Sequence, residues 1–138
     1  MSLVVDASVW VSAADRTDAL SVQSRSFLAG VAARGEILVV PALAPVEVAC
    51  AFARRTRDAG AGRAVADELV RFPLLRVEPL TAHVLREAVE RGTAALLRAA
   101  DAIYLAVGRM TGSRLVTWDA ELVERAEGLT PVAWLADG

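Results

Sequence analysis

The chain of 138 residues contains no lysine, and all fifteen of its basic residues are arginine. That absence removes every mechanism that needs a primary amine, among them Schiff bases and the phosphate-binding lysine of a P-loop. Cys50 is the only cysteine and His83 the only histidine. No internal disulfide can form, and a Cys/His zinc site lacks its ligands. A serine or cysteine triad would have to use His83 as its base, yet His83 lies in the helical pattern TAHVLREAVE and no Gly-rich nucleophile turn is present. A surface position on a helix is the plainer reading. Long apolar runs are missing too. Residues 37–53 are broken by Pro41, Pro45 and Glu47, and fall short of the ~20 residues that cross a bilayer as a helix. The start, MSLVVDAS, lacks a basic region followed by an apolar core, so the expectation is a cytoplasmic protein without a membrane span. A formal charge of −2 and a pI near 5.4 do not advertise a nucleic-acid binder, so any such surface has to be local.

What is present is mostly apolar. Hydrophobic residues make up 55% and the mean hydropathy is +0.43, high enough that some apolar surface is expected to belong to a partner. The length suits one compact domain, residues 1–138, with a single core. The pattern predicts a strand over 2–5, helices over 8–14 and 18–34 with Gly35 as the stop, and a buried strand over 37–40. Pro45 suits the first turn of a helix running to Gly60, and another helix covers 61–72. A strand over 74–77 leads to a helix that Thr81 caps and Gly92 closes. A helix over 98–110, a strand over 114–118, a helix over 120–127 and a strand over 131–135 complete the chain. Strands separated by helices require crossovers, which predicts an α/β/α three-layer sandwich around a mostly parallel sheet of about five strands.

Four of the seventeen acidic residues stand in apolar company. Asp6 ends the run SLVV, Glu47 is the only charge within 37–53, Asp101 is alone between Ala99 and Val107, and Asp119 ends RLVTW. An acid so placed is costly unless it is partnered. Each also has a plainer reading: Asp6 and Asp119 as helix caps, Glu47 and Asp101 as first-turn acids that gain from the helix dipole. Together they follow one rule. Two end strands, and two begin helices leaving the same edge of a parallel sheet, where active sites of open α/β sheets form. Carboxylates gathered there repel one another unless a cation sits among them, and an all-oxygen set suits Mg²⁺ or Mn²⁺. Such a centre activates water and neutralises charge on a phosphate, so phosphodiester hydrolysis is the natural reaction. Ser8 and Thr117, each two residues from an acid, are placed to orient a carboxylate or a metal-bound water, or else to cap the backbone locally.

The segments VVDASVW (4–10), PALAPVEVACAF (41–52), LLRAADAIYLAV (96–107) and LVTWDAEL (115–122) resemble, in order and spacing, the four motifs of PIN-domain nucleases. The compact length is similar to that of the VapC toxins of bacterial type II toxin–antitoxin pairs. The resemblance implies that Asp6, Glu47, Asp101 and Asp119 coordinate Mg²⁺, with Asp6 and Asp101 central, and that Ser8 and Thr117 are the family's recurrent hydroxyls. It implies an endoribonuclease acting on structured or initiator RNA, a homodimer, and inhibition by a small VapB-like antitoxin that wraps the toxin and occludes its acidic site. Trp118 departs from the pattern, standing where a small or polar residue is more usual, which would alter the mouth of the site. Arg98, one turn before Asp101, and Arg16, after the first motif, are the candidates for RNA contact, against a plain role as solvated arginines. The cluster of Arg54, Arg55 and Arg57 lies farther along its helix from Glu47.

Rivals fail on particular residues. A phosphoaspartate phosphatase needs an aspartate where Ser8 stands, and also a lysine; a receiver domain needs the same lysine. A dinucleotide fold wants glycines where ASVW follows Asp6. Within the resemblance, the alternatives are a non-toxin nuclease of RNA processing and a binding module without turnover. A module of the latter kind is expected to have lost at least one of the acids, and all four are here.

Overall fold

A computed structural model of the chain describes residues 2–134. The elements are β1 (Ser2–Val5), α1 (Ala7–Ala14), α2 (Ser21–Ala33), β2 (Ile37–Pro41), α3 (Ala44–Thr56), α4 (Ala59–Val70), β3 (Leu75–Glu78), α5 (Ala82–Ala94), α6 (Ala99–Thr111), β4 (Arg114–Thr117), α7 (Ala120–Ala126) and β5 (Val132–Trp134). The predicted order of strands and helices holds throughout. Residue 135, assigned to the last strand from sequence, lies outside the described residues.

The five strands form one sheet in the order β3-β2-β1-β4-β5, and every neighbouring pair is parallel. Leu3 to Val5, Leu38 to Val40 and Leu115 to Thr117 are buried at every position, the signature of a sheet covered on both faces. One layer is built by α1 packing on α2, α3 and α4; α5 pairs with α6, and α6 lies against β1, β2 and β4. Because the chain proceeds outward from β1 to β3 and then returns to β4 on the other side of β1, the direction of winding reverses between β1 and β4. A crevice opens there at the carboxyl ends of the strands.

Several boundaries differ from those predicted, each for a local reason. The helix expected to run to Gly60 stops at Thr56, because Arg57 takes a left-handed conformation (φ 56°) and Asp58 then caps α4 through the Ala61 amide. The helix expected from Asp18 starts at Ser21, since the Asp18 carboxylate accepts from the Leu20 amide in a turn. Gly92 does not close α5, which continues to Ala94. Its role is close approach: a Cβ there would lie 2.4 Å from Ala102 Cβ on α6. His83 is exposed on α5, as its helical pattern suggested.

Candidate active site

β1 ends at Val5, and Asp6 caps α1, its Oδ1 accepting from the Ser8 amide at 2.5 Å. The Asp6 amide donates to Val116 O across to β4 at 3.1 Å, which fixes Asp6 at the point where the winding reverses. The carboxylate is buried, with 6% exposure. Thr117, at the end of β4 and fully buried, donates its hydroxyl to Asp6 Oδ2 and accepts from the Asp119 amide at 2.9 Å. Ser8, whose amide bonds Asp6, accepts from the Trp118 amide through its Oγ at 3.3 Å. Ser8 and Thr117 therefore tie the acid after β1 to the loop after β4. Asp119 caps α7, its Oδ1 accepting from the Glu121 and Leu122 amides.

Glu47 stands in the first turn of α3 and Asp101 in the first turn of α6. Helix α6 runs down to Gly112 and into β4 at the amino edge of the sheet, so its own amino end lies at the carboxyl edge. Glu47 Oε1 accepts from the hydroxyl of Tyr104, a buried residue one turn along α6 from Asp101, at 2.8 Å. Arg98 reaches from the start of α6 to Asp101 Oδ2 at 3.3 Å and to Asp119 Oδ2 at 3.2 Å.

Electrostatics show that these acids share one field. Burial pushes the Asp6 carboxyl above its ordinary value against the pull of the Ser8 and Thr117 hydrogen bonds, and the nearby Asp101 adds to the rise. Glu47 is raised by burial and by the charges of Asp6 and Asp101, against the Tyr104 hydrogen bond. Asp101 is raised by burial, with Arg98 opposing and Asp119 adding. Tyr104 is pushed far up by burial and by Glu47, Asp6 and Asp101, so it remains a hydroxyl donor. Three carboxyls that resist ionisation at one edge, with few donors to satisfy them, favour a cation.

The donor set suits a hard divalent ion in its chemistry, being carboxylate oxygen throughout. Among the described residues, however, no three His, Cys, Asp or Glu side chains are gathered tightly enough to form a ready-made metal cage. Thr117, Tyr104 and Arg98 each hold a carboxylate oxygen instead.

Sequence reasoning missed Tyr104, although its spacing from Asp101 puts both on one helix face. It also missed an anchor for Trp118: the indole N–H donates to Ser24 Oγ on α2 at 2.7 Å, and Ser24 bonds Ser12 on α1 at 2.5 Å. The two candidate RNA-contacting arginines part company. Arg98 is paired with two of the acids, whereas Arg16 lines a separate cavity of about 470 Å³ between α1, α2, α3 and α4. Trp10, Phe52 and Phe72 also line that cavity, as does Arg25. The Trp10 indole nitrogen and Arg25 Nε are buried there without a hydrogen-bond partner among the described residues. Arg55, from the basic cluster, is paired with Asp15 and Asp18.

The family model of the PIN domain matches residues 3–128. No curated protein matches the chain. Among solved structures, the chain is similar to the Mycobacterium tuberculosis toxin VapC20, described as cleaving the sarcin-ricin loop, at 21% identity over 88% of this chain and 93% of that one, with a TM-score of 0.75. It is similar to the VapBC2 complex of Rickettsia felis bound to promoter DNA at 12% identity, over 96% of this chain and 98% of that one (TM-score 0.75). The PAE2754 protein of Pyrobaculum aerophilum is 26% identical over 96% of this chain and 83% of that one (TM-score 0.64).

Proposed function

The chain belongs to the PIN-domain family, and from that premise we propose that it is a metal-dependent endoribonuclease, acting as the toxin of a type II toxin–antitoxin pair. One observation carries the nuclease reading. Four acids from four separate parts of the chain, Asp6, Glu47, Asp101 and Asp119, lie along the carboxyl edge of a parallel sheet, where burial, with a smaller contribution from neighbouring acids, raises three of them above their ordinary values.

In this reading Asp6, Glu47, Asp101 and Asp119 hold Mg²⁺ or Mn²⁺. A bound divalent ion supplies a water nucleophile at neutral pH and offsets charge on the phosphate under attack. The chain's own groups do the remaining work. Thr117 and Ser8 fix the orientation of Asp6, so that its lone pairs face the crevice at little reorganisation cost. Tyr104 aims the Glu47 carboxylate in the same way. Arg98 is the cation nearest the acids and the one placed to meet a substrate phosphate.

The toxin reading rests on the likeness to toxin–antitoxin structures and on the cavity between α1 and α4. An antitoxin segment seated there would satisfy the buried donors of Trp10 and Arg25 and cover the aromatic walls. The apolar excess of the chain is consistent with this partner and with a homodimer. We propose that residues 1–138 act as one nuclease unit in the cytoplasm.

The test is cleavage of RNA by the purified chain with Mg²⁺, with EDTA, and after Asp6→Asn or Asp101→Asn. Cleavage should vanish in the last three while the circular dichroism spectrum is kept. Equal cleavage in EDTA would sink the four-acid mechanism. The toxin reading is tested separately: growth arrest on induction, relieved by co-expressing the product of a neighbouring small gene. Growth unaffected by induction of an active nuclease would favour a housekeeping role in RNA processing.

A further inference from the structure

Arg98 is 80% exposed in its side chain, and its guanidinium rests against two carboxylates. Its Nε reaches Asp101 and a terminal nitrogen reaches Asp119, joining the first turn of α6 to the cap of α7. Both contacts are long, 3.3 and 3.2 Å, and each carboxylate is met by a single N–H. The paired, two-bond geometry that makes arginine–carboxylate contacts strong is absent. A small cavity of about 130 Å³ lies beside them, lined by Leu97, Asp101, Asp119, Glu121 and Arg125.

Two carboxylates whose own backbone positions are fixed, bridged by one weakly held and tethered cation, form an exchangeable ion site. We propose that Arg98 is a built-in counter-ion, which occupies the Asp101–Asp119 pair in the metal-free protein, competes directly with the divalent ion for it, and is released toward the substrate side when the ion binds. This rests on the metal-centre reading above. It gives Arg98 two alternating partners, the carboxylate pair and the substrate.

Exposed ion pairs contribute little, so displacement by a divalent ion is easy; a paired guanidinium nevertheless weakens metal binding by the worth of the pairs it makes. The experiment is Mn²⁺ binding without RNA, read from the paramagnetic resonance of free Mn²⁺, for the wild type, Arg98→Gln, Arg98→Lys and Arg125→Gln. Removing the competitor in Arg98→Gln should tighten Kd about three- to tenfold. Arg98→Lys should stay near the wild type. Arg125 lines the same cavity but pairs with Glu121, so Arg125→Gln reports loss of positive charge alone and should tighten Kd by less than about twofold. In the wild type, the Arg98 Nε–H resonance should shift with added Mg²⁺ in parallel with the binding curve.

An unchanged or weaker Kd in Arg98→Gln overturns the proposal, as does equal tightening in Arg125→Gln or an Arg98 resonance that ignores Mg²⁺. If the wild type binds no Mn²⁺ at millimolar concentration, the metal-centre reading fails and this inference with it. If the wild type binds and Arg98→Gln does not differ, the inference alone fails.

Discussion

At the scale of single residues, the site is a set of acids held away from their preferred state. Asp6 shows this most plainly, because its folded carboxyl titrates above the ordinary value of 3.8 through burial. A carboxyl raised on folding binds its proton more tightly in the native than in the unfolded state. The contribution to the metal-free protein is therefore fully present below the unfolded value, and is lost as pH rises through the raised one. Asp6→Asn removes this contribution, so its metal-free melting temperature at pH 7 should exceed that of the wild type, with a flatter dependence as pH rises from the ordinary carboxyl value. A melting temperature below the wild type at every pH would show that Asp6 is held for structure alone. Tyr104→Phe keeps the buried ring and deletes only the donor to Glu47. Loss of an oriented outer partner of this kind costs about 10- to 100-fold in metal affinity or activity. Calorimetric titration with Mn²⁺ checks it, and an affinity equal to the wild type would place Glu47 outside the metal's reach.

At the scale of elements, the position of Asp101 depends on how closely α5 and α6 approach. Gly92 faces Ala102 with no room for a methyl group, since a Cβ would stand 2.4 Å from the Ala102 Cβ. Gly92→Ala would raise helix propensity by about 0.5–1 kcal/mol, but overpacking between two rigid helices costs about 1–3 kcal/mol. The expected net result is a lower denaturation midpoint together with weaker Mg²⁺-dependent cleavage, because residue 102 adjoins Asp101 and helix α6 must shift as a body. A midpoint at or above that of the wild type would mean that the helices part without cost. Sequence reasoning took Gly92 for a helix stop. The pattern of glycine after charged residues is the same for a stop and for a contact point, and only the neighbouring helix distinguishes them.

For the whole molecule, the acids and the cavity between α1 and α4 are separate features, and separate substitutions should divide cleavage from inhibition. Ala64 lines that cavity from the exposed side of α4. Ala64→Arg should leave RNA cleavage intact and weaken binding of the inhibitory partner by at least about tenfold, through lost apolar burial and a desolvated charge. Co-purification and competition assays read this directly, and undiminished inhibition would place the partner elsewhere. Millimolar Mg²⁺ or Mn²⁺ should also raise the melting temperature of the whole chain, because an ion bound only by the native state stabilises it by mass action. No shift would argue against a formed centre.

The sequence alone determined the alternation of strands and helices, the parallel sheet, and the four acids that had no solvent-facing explanation. These were legible because apolar periodicity and isolated charges are local facts, which survive without knowledge of what packs where. Helix ends at Arg57 and Gly92 were misread, since a left-handed residue and a close contact leave no distinctive local pattern. Tertiary structure alone decided which donors the acids receive. Thr117 on Asp6, Tyr104 on Glu47 and Arg98 on Asp119 join residues brought together by packing. Hydrogen bonds and charge pairs depend on distances of a few ångströms, and for residues 21 to 111 positions apart those distances are set by how the sheet and its helices pack.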